Sequence, residues 1–255
     1  LGPQFRSLTK FTKGVLSKKT ANYKLSDMEL DADIDKLGKV SQVLTKNQKL
    51  LVQIAKEPIS TKGPRLSCDL SIAGRYIVLV PFTNTVNVSR KIADSEERKR
   101  LKRLISSIKP NNFGVIIRTV AADKDVAELD RDLRTCLEKW ELSSKNLRKA
   151  TPPSKVLGEI NKITSILRDV FNESFDSIVV DDADIYEEVK AFISDIAPHK
   201  AKIVKHHTGK NKLFEVSGIE KQLKTLFGKS VSLVGGGYII IEHTEALHVI
   251  DVNSG

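Results

Sequence analysis

Phe113-Gly114-Val115-Ile116-Ile117-Arg118-Thr119-Val120 reads as a strand that runs into the polar turn Asp123-Lys124-Asp125. After the turn, Val126, Leu129, Leu133, Cys136, Leu137 and Trp140 fall on one stripe of a long helix. Cys136 and Trp140 sit on that stripe and read as core rather than chemistry. The same alternation continues on both sides. Upstream, Tyr76-Ile77-Val78-Leu79-Val80 is a strand, and Asp94 with Glu97 three residues on is a capping-box pattern that starts a helix. Leu101, Leu104, Ile105 and Ile108 form one face of that helix, and Pro110 ends it. Downstream, Thr151-Pro152-Pro153-Ser154 marks a boundary. A helix over 160–171, a strand over 177–180, a helix over 184–195, a strand over 201–205 and a short helix over 219–227 follow. Such alternation predicts a mixed α/β protein of several domains.

The two ends read differently. Before Arg65 the text is polar and broken, with one strand expected at Leu50-Leu51-Val52-Gln53-Ile54. Fifty residues ahead of the first convincing strand is long for a complete domain. At the other end, strands over 238–243 and 246–252 are joined at Thr244-Glu245 as a hairpin. The chain begins at Leu1 and stops directly after this run, so it is expected to be part of a longer protein.

Of the 255 residues 40% are hydrophobic and 29% charged, the composition of a globular protein. No apolar run reaches the roughly 18 residues of a membrane span. Cys68 and Cys136 share no metal-ligand spacing, which excludes a zinc ribbon or disulfide scaffold and suits a reducing cytosol. The net charge of +10 and pI near 9.5 make polyanions the first partners to weigh, with solubility alone as the other reading. Residues 1–65 hold 13 Lys+Arg against 6 Asp+Glu, and much of the surplus lies there. Arg98, Lys99, Arg100, Lys102 and Arg103 on one helix face fit a solvated surface first and an RNA contact second.

In the last strand, period-2 alternation puts Leu247, Val249, Asp251 and Asn253 on one face. Asp251 and Asn253 carry hard oxygen donors suited to Mg²⁺, although Asp-x-Asn at a strand end also serves as a turn cap. An acid on so apolar a strand is expected to be paired. Gly235-Gly236-Gly237 reads as a turn before a strand, because no helix start or Gly-Lys-Ser/Thr follows it.

The whole stretch 235–255, with the words Thr244-Glu245-Ala246-Leu247 and Ile250-Asp251-Val252-Asn253-Ser254-Gly255, resembles the catalytic signature of the ribonuclease E/G endoribonucleases. Ser71-Ile72-Ala73-Gly74-Arg75-Tyr76-Ile77-Val78-Leu79, Val88-Ser89-Arg90-Lys91-Ile92 and Gly114-Val115-Ile116-Ile117-Arg118-Thr119-Val120 resemble that family's phosphate-sensing domain, in the same order. Residues 202–209 with Leu213-Phe214 are similar to its RNase H-like segment. The shorter, ribonuclease G-like members of Bacteroidetes type are the most similar in style.

The resemblance implies a domain order: the C-terminal part of an OB-fold over 1–65, a 5′-phosphate sensor over 66–155, an RNase H-like domain over 156–228 and the start of a DNase I-like catalytic domain over 229–255. It implies Mg²⁺-dependent hydrolysis of single-stranded RNA in RNA processing and decay, ribosomal RNA included, in the cytoplasm. Asp251 would be a metal ligand, and Asn253 would orient water or the scissile phosphate. Arg118 and Thr119 would grip a 5′-terminal monophosphate. Gly74 would let the nucleotide approach the backbone, and Val78 would meet the terminal base. The full-length protein would be a homo-oligomer with no membrane span. The family's second metal-binding aspartate and its zinc-sharing Cys-Pro-x-Cys word are absent from this chain. A non-catalytic module that binds RNA and senses 5′-phosphates therefore stands as the alternative.

Overall fold

In the computed structural model, which describes residues 2–17, 23–34, 39–59, 61–158 and 162–254, the chain forms two compact units, Leu1–Asp169 and Val170–Gly255. The first contains α1 (Phe5–Leu16), β1 (Gln53–Lys56), β2 (Arg65–Ser67), β3 (Ile72–Ala73), β4 (Ile77–Pro81), β5 (Val86–Val88), α2 (Ser95–Ile108), β6 (Phe113–Ile117) and α3 (Val126–Lys149), with α4 (Lys162–Val170) at its end. The second contains β7 (Ile178–Val180), α5 (Ala183–Ile196), β8 (Val204–His206), α6 (Leu213–Val216), α7 (Ile219–Leu226), β9 (Ser230–Ser232), β10 (Tyr238–His243) and β11 (His248–Asn253). The chain is a mixed α/β protein, as the alternation predicts.

The first unit is built on a four-stranded sheet of order β3-β4-β6-β5. β4 runs antiparallel to β6, and β5 runs parallel to it with α2 as the crossover. Alternation decides the faces: Ile77, Leu79, Val115 and Ile117 are fully buried with Leu101, Ile105, Leu129 and Leu133 of the two long helices. Val78 and its cross-strand partner Ile116 lie on the other, partly open face.

Asp94 caps α2 by accepting from the Glu96 amide at 2.9 Å. Glu97 does not complete a capping box. It accepts from Arg100 Nε at 2.6 Å and from the Asp123 amide at 3.0 Å, tying α2 to the turn before α3. Cys136 and Trp140 are core, as expected, and burial pushes the Cys136 thiol up to about 12.

The polar text before Leu50 hides a helix. Along α1, Phe5, Leu8, Phe11 and Val15 are buried. The Phe11 ring lies 5.3 Å from Trp140 and 5.5 Å from Phe82, so this segment shares the core of the four-stranded sheet. The strand expected over 50–54 starts later, at Gln53, and pairs with β2.

In the second unit, β7 and β8 pair in parallel around α5, which buries Val189 and Ile193. Most of the strand expected over 201–205 is instead the 3-10 turn Pro198–Ile203, favoured by Pro198 at its first position, and only Val204–His206 pairs. α4 is seen from Lys162; its expected start at Ile160 lies outside the described residues, as does Gly255. β9, β10 and β11 form an antiparallel sheet with β11 on one edge and β9 on the other. Among the described residues no helix is long and apolar enough to cross a membrane.

Candidate functional site

Two places collect the residues singled out above, one in each unit. The first is the turn between β3 and β4. Its backbone is held by an acid from α3: Asp132 accepts from the amides of Arg75, Tyr76 and Ile77 at 2.9, 2.8 and 3.0 Å. That carboxylate explains Gly74. A Cβ at position 74 would sit 2.5 Å from Asp132 Oδ2. The missing side chain makes room for this internal acid. Tyr76 completes the corner by donating its hydroxyl to Glu128 at 2.9 Å, and burial together with that bond pushes its phenol up to about 12.

Arg118 follows β6 and continues its ladder, its amide donating to the Tyr76 carbonyl at 2.8 Å. Two positions on from Ile116, its side chain rises on the same face as Val78. Nη1 donates to the Gly74 carbonyl at 3.1 Å and to Asp169 Oδ1 at 2.7 Å. Thr119, next along, shares a hydrogen bond of 3.0 Å with Ser89 Oγ at the end of β5. Gly74, Arg118 and Thr119 are thus brought together, with Val78 on the strand leading away from the same turn.

Sequence reasoning missed Asp169 and Arg168, which stand side by side near the end of α4. Arg168 Nε donates to Asp169 Oδ1 at 3.2 Å, and its Nη1 donates to the Ala73 carbonyl at 3.3 Å. Desolvation works to raise the Asp169 pKa, but the hydrogen bonds and charges of Arg118 and Arg168 outweigh it and hold the carboxyl below its ordinary value. No motif announces either residue. Asp132 left a faint signal: an acid one position before Leu133, beside an otherwise apolar stripe.

The second place is the β10–β11 hairpin. Thr244-Glu245-Ala246-Leu247 is its connection, and Thr244 staples it by donating its hydroxyl to the Leu247 carbonyl at 2.8 Å. The register sets Asp251 opposite Ile240 and Asn253 opposite Tyr238. Gly235 and Gly236 take φ of +110° and +98° in the turn between β9 and β10, which only glycine adopts without strain. A Cβ on Gly237 would approach the Asn253 carbonyl to 2.8 Å, so the turn packs against the end of β11.

Asp251 and Asn253 share a face: Asn253 Nδ2 donates to Asp251 Oδ2 at 3.2 Å. The expected pairing of a desolvated acid is not what is found. Both faces of β11 are largely exposed, so Asp251 meets water and needs no counter-charge. The donors have the hardness Mg²⁺ prefers. The pair could fill only part of such an ion's shell, and among the described residues no group of three or more His, Cys, Asp or Glu could hold a metal ion.

The sequence profile of the ribonuclease E/G family matches residues 71–255. Ribonuclease E of Nostoc sp. is 36% identical over 219 residues, which is 85% of this chain and 32% of that protein. Ribonuclease G of Escherichia coli is 32% identical over 216 residues, 85% of this chain and 44% of that protein. Ribonuclease G of Haemophilus influenzae is 34% identical over 220 residues, 86% of this chain and 45% of that protein. The chain spans less than half the length of each of these relatives.

Proposed function

The chain belongs to the ribonuclease E/G family, and from that premise we propose that its protein is an endoribonuclease that hydrolyses single-stranded RNA and senses a 5′-monophosphate. The observation that carries the proposal is the placement of Asp251 and Asn253 on one face of a register-fixed strand, inside the span matched by the family. Asp251 would be one ligand of a Mg²⁺ whose remaining donors come from beyond this pair. Asp251→Asn should leave RNA binding intact and lower cleavage by orders of magnitude in the protein that cuts. Retention of most of the cleavage rate would overturn the assignment.

The β3–β4 turn supplies the end-sensing half. Arg118 is a bidentate phosphate donor, the Thr119 hydroxyl adds a further donor, and Val78 gives an apolar surface for the terminal base. A charge-assisted contact contributes about 1.5–3 kcal/mol, roughly ten- to a hundredfold in affinity. Arg118→Ala should therefore erase most of the preference for 5′-monophosphorylated over 5′-hydroxyl RNA, and weaken binding of the hydroxyl form far less. Paired titrations at one fixed salt concentration test it; an equal loss on both oligonucleotides would make Arg118 part of a general basic surface. The domain order set out from the resemblance, action in the cytoplasm on ribosomal and other RNA, and assembly into a homo-oligomer belong to the same proposal. A non-catalytic module that binds RNA and senses its 5′ end is the second reading, favoured by the pairing of Asp251 with a carboxamide, Asn253, rather than with a second carboxylate.

A further inference from the structure

The guanidinium of Arg118 carries five N–H donors. Among the described residues its two hydrogen bonds both leave from Nη1, to Gly74 O and Asp169 Oδ1. That nitrogen has two N–H groups, so it is saturated. The edge formed by Nε and Nη2 keeps its donors, and this edge has the parallel geometry that grips two oxygens of one phosphate. Asp169 is itself held, since Arg168 donates to the same Oδ1 and to the Ala73 carbonyl. The Arg168 side chain is only 11% exposed, against 27% for Arg118 and 42% for Asp169, so Arg168 is the buried anchor of the three. Each arginine also rests on a carbonyl of the β3–β4 turn, Ala73 for one and Gly74 for the other.

We propose that Asp169 is a positioning residue: by occupying Nη1 together with the Gly74 carbonyl, it fixes the Arg118 guanidinium with its Nε/Nη2 edge presented to a terminal phosphate. This rests on the phosphate-sensing reading above. The role needs an acceptor at Oδ1 and does not need the negative charge, which would oppose a dianionic ligand nearby. Asp169→Asn keeps an acceptor and removes the charge; Asp169→Ala removes both. A long side chain released from one of its two anchors loses orientation, and the loss falls on the contact that depends on orientation.

The test measures affinities of the 255-residue chain for two oligonucleotides that differ only in a 5′-monophosphate or 5′-hydroxyl, at fixed salt. Asp169→Ala should shrink the ratio of the two affinities about fivefold or more, with the fall carried by the 5′-monophosphate oligonucleotide rather than by a loss on the hydroxyl form. Asp169→Asn should keep the ratio at or above that of the unsubstituted chain. In the Arg118→Ala background, Asp169→Ala should have no further effect on the ratio, because the two residues act as one unit. An unchanged or increased ratio in Asp169→Ala overturns the proposal and leaves phosphate sensing standing. So does an equal fall in Asp169→Ala and Asp169→Asn, which would make the charge the active feature. Absence of any preference in the unsubstituted chain and in both variants removes the sensing reading itself, and the proposal with it.

Discussion

Asp132 does for the β3–β4 turn what no backbone partner does, accepting from three consecutive amides with one carboxylate. Asp132→Ala would strand those donors and is expected to destabilise the first unit by about 3 kcal/mol, read as a lower denaturant midpoint. Gly74→Ala meets the same carboxylate from the other side. The acid is pinned and cannot yield, so a cost of about 1–3 kcal/mol is expected, and Asp132→Ala should relieve it in the double variant. Asp169 gives a pH signature. Its folded pKa is lowered, so the stability it contributes is present above its ordinary value of 3.8 and is lost as pH falls through the folded value. Unfolding midpoints followed into acid should therefore fall more steeply for the unsubstituted chain than for Asp169→Asn; parallel curves would mean the pair with the arginines contributes nothing. At this scale sequence reading named Gly74, Val78, Arg118 and Thr119 through a resemblance, and the structure sets Gly74 against Arg118 at the β3–β4 turn. It could not reach Asp169 or Arg168, which meet the turn only through folding and lie about fifty residues or more away along the chain.

Elements were legible where periodicity was long. α3 announces itself through Leu129, Leu133, Cys136 and Trp140, and the β10–β11 hairpin through two apolar runs with a polar joint. α1 escaped although Phe5, Leu8, Phe11 and Val15 keep helical spacing, because the segment lacks the usual edge marks: Gln4 makes no side-chain cap and the first turn holds no acid. β9 escaped because three residues, two of them serine, carry no pattern. The 3-10 turn that starts at Pro198 runs through Ile203 and leaves only Val204–His206 of the expected strand to pair, because proline's fixed φ suits the first position of such a turn. Phe11 is the test of the α1 assignment. It touches Tyr23, Phe82 and Trp140, so Phe11→Ala should cost about 3–5 kcal/mol and change the tryptophan fluorescence. A substitution without effect on stability would mean the helix is not docked on this core.

For the molecule as a whole, the surplus of positive charge and the sparse acid set at β11 point the same way. The 255-residue chain is expected to bind single-stranded RNA with steep salt dependence, and to leave it uncut when Mg²⁺ is added. Cleavage that requires a divalent ion, in a preparation free of other nucleases, would refute the second half. β11 carries a different consequence. Among the described residues it pairs on one side only, and Val249, Ile250 and Val252 are all well exposed along it. A bare, apolar strand border is a template for accretion: another chain can lay its own border alongside, and the product ends in a fresh one. Stored concentrated, this polypeptide should thicken by a seeded process, with a lag that preformed material abolishes and that Ile250→Lys lengthens.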